Sequence, residues 1–217
     1  MTEPDFLAET RVFYDAIADE YADRYRDALG GMPMDRAMLA LFADLVRAER
    51  PDARAAEVGC GPGRMTGPLH RLGLDVHGID LSPRMVELAR QAHPEVPFSV
   101  GSMFDLPFGD GELTGVVAWY SIIHTPPERL PEVFAEFARV LAPGGHLMLA
   151  FQVGERPLHL ERPFGRPVSL DFRRLRPEQV EELAREAGLP VTSRTVREPE
   201  GDERTPQAYL LARKPKV

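Results

Sequence analysis

The run Gly59-Cys60-Gly61-Pro62-Gly63 and the acid Asp80, 21 positions after its first glycine, are where this chain's residue types and spacing first suggest chemistry. A glycine-rich turn between a strand and a helix lets backbone amides approach a ligand closely. An acid at the end of the next strand stands about where a carboxylate accepts both ribose hydroxyls of a nucleotide. Such a carboxylate repels a 2'-phosphate, which disfavours NADP. The other reading of Asp80 is a surface acid that caps the helix opened by Ser82. Glu57, two positions before the first glycine, narrows the ligand further. A carboxylate so near a pyrophosphate is costly, whereas it suits a ligand carrying an ammonium and a sulfonium. NAD stays in view, because Gly61, Gly63 and Gly67 make a loose G-x-G-x-x-x-G run. The chain has no G-x-G-x-x-G loop and no Tyr-x-x-x-Lys pair.

A second group of candidates follows Trp119-Tyr120-Ser121-Ile122-Ile123-His124. His124 titrates in the range useful for proton removal near neutrality, so it is a candidate general base. It is equally a histidine satisfied by the helix beside it. Tyr120 either shapes an acceptor pocket or packs in the core. Tyr14, Ile17, Tyr21 and Tyr25 form one stripe at helical spacing, which is either core or a lid. Arg64 can meet a carboxylate, or it pairs on the surface. Cys60 is a small packing group, and the remaining histidines show no metal-ligand spacing.

The elements that must position these residues follow from periodicity. Helices are expected over 5–29, stopped by Gly30-Gly31, and over 34–49, with Pro51 beyond its end and Met38, Leu41, Phe42 and Leu45 inward. Strands are expected over 53–58, 74–79, 96–100, 115–120 and 146–151, with helices between them over 64–72 and from Ser82-Pro83 onward. Ser82 is the N-cap there and Pro83 the first helical residue. A further helix starts between Thr125 and Pro131, with Leu130, Phe134, Phe137 and Leu141 as its stripe. Arg176 to Ala187 is helical, and 190–196 with 207–212 make an antiparallel pair. Apolar strands alternating with helices mean a parallel sheet covered on both faces. The connection 152–170 is long for a compact domain. Its Arg156, His159, Arg162 and Arg166 make it a solvated loop or a flap over an anionic acceptor.

The chain has 217 residues, 43% hydrophobic and 28% charged, enough for one domain with a real core. Its formal net charge of -8 argues against binding nucleic acid through phosphates. One cysteine excludes an internal disulfide framework and fits a reducing cytoplasm. The acidic start at Met1 to Asp5 lacks a signal-peptide pattern, and no apolar run is long enough to span a bilayer. The expectation is a soluble cytoplasmic protein without membrane partners, a monomer or homodimer.

Five ordered landmarks carry a family resemblance. Ala56 to Gly63 resembles motif I (E/D-x-G-x-G-x-G) of class I S-adenosylmethionine (SAM)-dependent methyltransferases, and Gly78 to Ser82 resembles their motif II. Tyr14-Asp15-Ala16-Ile17-Ala18 with Tyr21 looks like the amino-terminal helix of the small-molecule branch. Leu106-Pro107-Phe108 and Arg139 to Gly145 match two further landmarks. The resemblance implies an α/β, three-layer Rossmann-like fold: a seven-stranded, mostly parallel sheet with an antiparallel C-terminal strand pair and extra N-terminal helices. It implies one domain over 1–217, with capping helices in 1–50, the SAM-binding core in 51–151, a substrate-side loop in 152–170 and the C-terminal helix and strand pair in 171–217. It also implies roles. Gly59, Gly61 and Gly63 line the methionine moiety, Glu57 supports its amino group, and Asp80 binds the ribose. Leu81 and Met103 sandwich the adenine with Ser102 beside its amine, while Tyr14 and Tyr21 touch the ligand side. Gly101-Ser102-Met103 departs from the family's G-D-A and lacks its adenine carboxylate, which Asp105 replaces only if the loop runs differently. The implied activity is methyl transfer from SAM to an O, N or C atom of a small-molecule acceptor. The alternatives are an NAD-dependent oxidoreductase or epimerase, and a non-catalytic SAM-binding module.

Overall fold

Apolar strands alternating with amphipathic helices give the chain its three layers. The computed structural model describes residues 5–26, 28–50 and 52–216; the acidic start before Asp5, and Pro51, lie outside the described residues. In chain order the elements are α1 (Asp5–Tyr25), α2 (Pro33–Glu49), β1 (Arg54–Val58), α3 (Thr66–Arg71), β2 (Asp75–Asp80), α4 (Pro83–Ala92), β3 (Phe98–Val100) and β4 (Leu113–Trp119). They continue as α5 (Leu130–Val140), β5 (Leu141–Gln152), β6 (Leu158–Glu161), β7 (Ser169–Phe172), α6 (Pro177–Glu186), β8 (Val191–Arg197) and β9 (Gln207–Arg213). The seven-stranded sheet has the order β3-β2-β1-β4-β5-β9-β8. The first five strands run parallel, and β9 is antiparallel to both β5 and β8. The expected antiparallel pair is present, with the last strand inserted one place in from the edge. Among the described residues no helix is long and apolar enough to cross a membrane.

Every residue of β4 is buried, as the central strand of a sheet covered on both faces must be. On one face α5 and α6 supply Phe134, Phe137 and Val180. On the other, α2, α3 and α4 supply Phe42, Val46, Leu69 and Val86. At Gly115 a Cβ would lie 2.7 Å from Val46 and 2.8 Å from Phe42, so the missing side chain lets α2 settle directly on β4. That contact corrects the expected inner face of α2. Leu39, Phe42, Ala43 and Val46 point inward with Met38, while Leu41 is 43% exposed and Leu45 only partly buried. Two adjacent stripes of this helix are apolar, and only the sheet chooses between them.

Other boundaries also move. α1 ends at Tyr25, not Leu29, and a 3-10 turn (Ala28–Gly31) follows. The Arg36 guanidinium donates to the carbonyls of Leu29 and Gly30, a tertiary use of groups that a continuing helix would consume. α5 begins at Leu130, within the expected start, after a 3-10 turn over Pro127–Arg129, whereas Leu141 opens β5 instead of closing the helical stripe. The connection over 152–170 is not structureless. It contains β6 and the start of β7, an antiparallel hairpin outside the main sheet.

α1 lies between this hairpin and α4. Phe13 and Ile17 bury against Leu170 of β7. On the other side Asp15 Oδ1 accepts from the Ser82 hydroxyl (2.5 Å) and the Arg84 amide (3.2 Å). Ser82 caps α4 as its sequence position requires, since its Oγ accepts from the Met85 amide at 3.0 Å. One hydroxyl therefore both caps α4 and anchors α1. Ser82→Ala should cost about 1–2 kcal/mol of stability. At this chain length that is a fall in Tm of roughly 2–8 °C, read by urea and thermal unfolding. An unchanged midpoint would show that the cap and the anchor contribute nothing net.

Candidate active site

Parallel strands of an open α/β sheet deliver their connecting loops to one edge, and ligands bind outside those carboxyl ends. Here the loops after β1, β2, β3 and β4, roofed by α1, enclose a cavity of about 820 Å³ counting its open mouth. Gly59, Gly61, Asp80, Leu81, Ser102 and Met103 line it, and so do Tyr14, Tyr21, Tyr120 and His124. Ten of the twelve sequence candidates thus meet in one place. Glu57 faces an adjoining smaller chamber with Tyr21, Cys60, Arg64 and Trp119. Gly63 corrects its expected role. It is buried, and a Cβ on it would lie 2.8 Å from His93 and 3.2 Å from Phe98, so it serves close packing of the loop on α4 and β3.

The glycines differ in what they permit. Gly59 has φ +76, and a Cβ there would sit 2.2 Å from that of Ser121, so the two loops touch because Gly59 has no side chain. Gly61 has φ +54 but its missing Cβ would meet nothing within 4 Å, so it leaves the cavity open. Tyr120 also takes φ +53, uncommon for a bulky residue. This bend at the end of β4 turns the following segment across the cavity wall.

Asp80 accepts from the Gly61 amide at 2.7 Å and from the Ser82 amide at 2.9 Å. Burial raises its pKa to about 6, against the lowering effect of those two amides. Burial pushes Glu57 further, to about 8, although the Thr66 hydroxyl donates to it. At pH 7 Glu57 is then largely protonated and Asp80 largely ionised, and a cation beside either favours the carboxylate. Two buried donors beside the cavity have no partner among the described residues of the protein. They are the Trp119 indole N–H and the Ser121 hydroxyl, on residues 4% and 7% exposed. An unmet buried donor costs about 1–3 kcal/mol, which a bound ligand relieves.

His124 lies in a short 3-10 turn after β4 and is buried. Its Nε2 is 2.8 Å from the Tyr14 hydroxyl, and its Nδ1 is 3.4 Å from the Asp171 carbonyl oxygen. Phe172 packs on the ring edge-on at 4.8 Å between centroids. Burial lowers its pKa to about 4, with Arg173 a smaller cause in the same direction, so the ring is neutral at ordinary pH. Burial likewise holds the Tyr14 phenol well above its usual range. The hairpin thus braces the histidine, but none of 152–170 lines the cavity. Arg166, one of the expected flap charges, pairs with Glu20 of α1 instead. Asp105 is exposed and also lies outside the cavity lining.

Phe6, Leu7 and Thr10 of α1, with Trp119 and Ser121, complete the wall and escaped the sequence reading. Phe6 and Thr10 precede Tyr14 at steps of four, so the stripe signal was present one turn earlier. Nothing local marks Trp119 or Ser121, which become wall residues only where β4 bends. Among the described residues no cluster of side chains suits a metal ion.

Comparison with known proteins agrees with this architecture. Residues 55–145 match the family model described as a methyltransferase domain. The chain is 30% identical to an O-methyltransferase of Penicillium expansum, the match covering 65% of this chain and 58% of that protein. The chain spans about half the length of the first curated relatives it matches. Among solved structures, magnesium protoporphyrin IX methyltransferase from Synechocystis with bound SAM superposes with a TM-score of 0.71 at 17% identity, covering 99% of each chain. The 1,6-didemethyltoxoflavin-N1-methyltransferase of Burkholderia thailandensis, bound to its substrate and S-adenosylhomocysteine, has a TM-score of 0.70 at 17% identity, covering 99% of this chain and 92% of that one. With the strand order, the glycine loop and the acid after β2, these findings identify residues 55–145 as a methyltransferase domain, on the Rossmann-like fold that the solved SAM-dependent methyltransferases share.

Proposed function

We propose that this protein transfers the methyl group of SAM to a small-molecule acceptor bound in the same cavity. The observation that carries the reading is the division of the site into two chemically different halves. One half holds Glu57 and Asp80, two acids destabilised by burial; the other holds Tyr14, Tyr120 and neutral His124. A cationic donor stabilises the first half, and an uncharged acceptor suits the second. A non-catalytic SAM-binding module has no use for the second half, and the site gives no support to a pyrophosphate beside Glu57. The reading includes a cytoplasmic setting, no nucleic-acid partner at a net charge of -8, and action as a monomer or homodimer.

The fit of the donor rests on the vacant space beside Gly61 and on the unpaired donors of Trp119 and Ser121. In this reading Asp80 accepts from the ribose hydroxyls with the lone pairs its two amides leave free. Gly59 and Gly61 keep the methionine end clear of side chains. Glu57 and Arg64 in the smaller chamber meet its ammonium and carboxylate, and Tyr21 spans both spaces. Leu81 and Met103 enclose the adenine with Ser102 at its edge. When bound, SAM supplies an electrophilic methyl on a sulfonium. The chain's own contribution is alignment, exclusion of water by α1, and low-dielectric walls that do not trap the departing positive charge.

Asp80→Ala should weaken SAM binding by about 1–3 kcal/mol, roughly 5- to 150-fold in Kd by calorimetry. Unchanged affinity would remove Asp80 from the site. Gly61→Val should abolish SAM binding while the domain stays folded, because the new side chain enters open cavity space at a left-handed φ. A variant that binds like the wild type would contradict the loop assignment. Glu57 gives a pH test. Its pKa near 8 means that it carries a proton at pH 7, and a cationic ligand favours the carboxylate. SAM binding at pH 7 should therefore release a proton, and affinity should rise between pH 7 and pH 8. Calorimetry in buffers of different ionisation enthalpy measures the release, which Glu57→Gln should remove.

A further inference from the structure

The chain from Asp171 through His124 to Tyr14 has a direction. The Asp171 carbonyl can only accept, and the buried ring is neutral with a single N–H, so Nδ1 donates to that carbonyl at 3.4 Å. Nε2 then accepts, and the Tyr14 hydroxyl is its donor at 2.8 Å. With its proton committed to His124, the Tyr14 oxygen offers the cavity lone pairs and no hydrogen. A group opposite it must be a donor. His124 itself cannot be reached at Nε2 without displacing the phenol.

The walls narrow the acceptor further. Asp80 is the charged residue lining the main cavity among the described residues, and Arg64 reaches only the smaller chamber. A carboxylate or phosphate acceptor would meet an acid and no cationic side chain. No arginine of 152–170 lines that cavity, and Arg166 pairs with Glu20. Of the donors that remain, a neutral amine already exposes its nucleophilic lone pair and needs no proton removed first. A hydroxyl does, because its methylated, still protonated form is very acidic.

We infer that the acceptor is a neutral alcohol or phenol, and that the Tyr14 hydroxyl receives its proton while passing its own to His124. This rests on the methyltransferase reading above. As the acceptor oxygen forms its bond to the methyl carbon, the carbon–sulfur bond breaks and sulfur keeps the electron pair as a neutral thioether. The acceptor proton moves to the Tyr14 oxygen, the Tyr14 proton moves to Nε2, and Nδ1–H stays on the Asp171 carbonyl. The positive charge leaves sulfur and arrives on the imidazole, so the net charge of the buried site does not change. Water takes the proton once the product has left. Tyr14 is the catalytic residue in this scheme, and His124 acts through it.

The experiment uses the full chain, labelled SAM and three probes at pH 8: phenol, 4-nitrophenol, which is ionised there, and benzoate. Wild type should methylate phenol and not benzoate. Tyr14→Phe, which deletes one oxygen and keeps the ring, should lower kcat on phenol by about 10²- to 10⁴-fold with SAM affinity unchanged. Its loss on 4-nitrophenol should stay under about tenfold, because that probe brings no proton. His124→Ala should show the same split. Nitrogen-15 NMR gives a readout without turnover: phenol should shift the His124 Nε2 resonance in wild type and not in Tyr14→Phe. Equal losses on both phenols would reduce Tyr14 and His124 to a structural role and overturn the relay. Methylation of benzoate alone, or of no probe by a SAM-loaded protein, would overturn the acceptor class. Failure of the wild type to bind SAM would overturn the methyltransferase reading itself, which calorimetry reports separately.

Discussion

Asp80 ends β2 at the carboxyl edge of a parallel sheet, and its two oxygens accept amides from two different segments. The Gly61 amide fixes the glycine loop after β1, and the Ser82 amide fixes the entry to α4. Ser82 in turn caps α4 and donates to Asp15, which carries α1 over the site. A single half-buried carboxylate is thus the point from which loop, helix and roof are all referenced. Burial raises its pKa and the amides lower it, and a value of about 6 is the balance. The arrangement leaves the acid poised for a ligand that offers further hydrogen bonds or positive charge.

Charge in the site is distributed unevenly. Glu57 and Asp80 stand on the side of β1 and β2, where burial makes their ionised forms unstable, so a cation there gains more than it would near exposed acids. Beyond β4 the groups are neutral, with Tyr14, Tyr120 and His124 all pushed by burial toward their uncharged forms. The border between the halves is the bend at Tyr120, where a left-handed residue turns the chain and brings Ser121 against Gly59. Backbone geometry here does electrostatic work, because it decides which loop faces which half.

Residues from three distant stretches form or brace the neutral half. Tyr14 comes from α1, His124 from the turn after β4, and Asp171 and Phe172 from β7. The hairpin's contribution is therefore indirect. It buries Phe13 and Ile17 of α1 and packs on His124, so it holds the lid and the histidine together without entering the cavity. The long connection acts through packing, and one of its charges, Arg166, pairs with Glu20 of α1.

Local chemistry was enough to single out the glycine loop and the two acids of the candidate site. Glycines at 59 and 61, an acid two positions upstream and another at the end of the next strand are patterns set by backbone dihedrals and strand period, both of which are local. The layer order followed from alternating strands and helices for the same reason, and the Ser82 cap from residue type alone. Tertiary structure decided what depends on close approach between distant segments. Gly63 and Gly61 look alike in sequence, yet one packs on Phe98 and the other opens the cavity, because only the fold says what stands opposite a missing Cβ. The inner face of α2 waited on Gly115, and the roles of Trp119 and Ser121 on the bend of β4. The pairing of Tyr14 with His124, 110 positions apart, has no local signature; periodicity places each side chain on a face, and packing alone determines which faces meet.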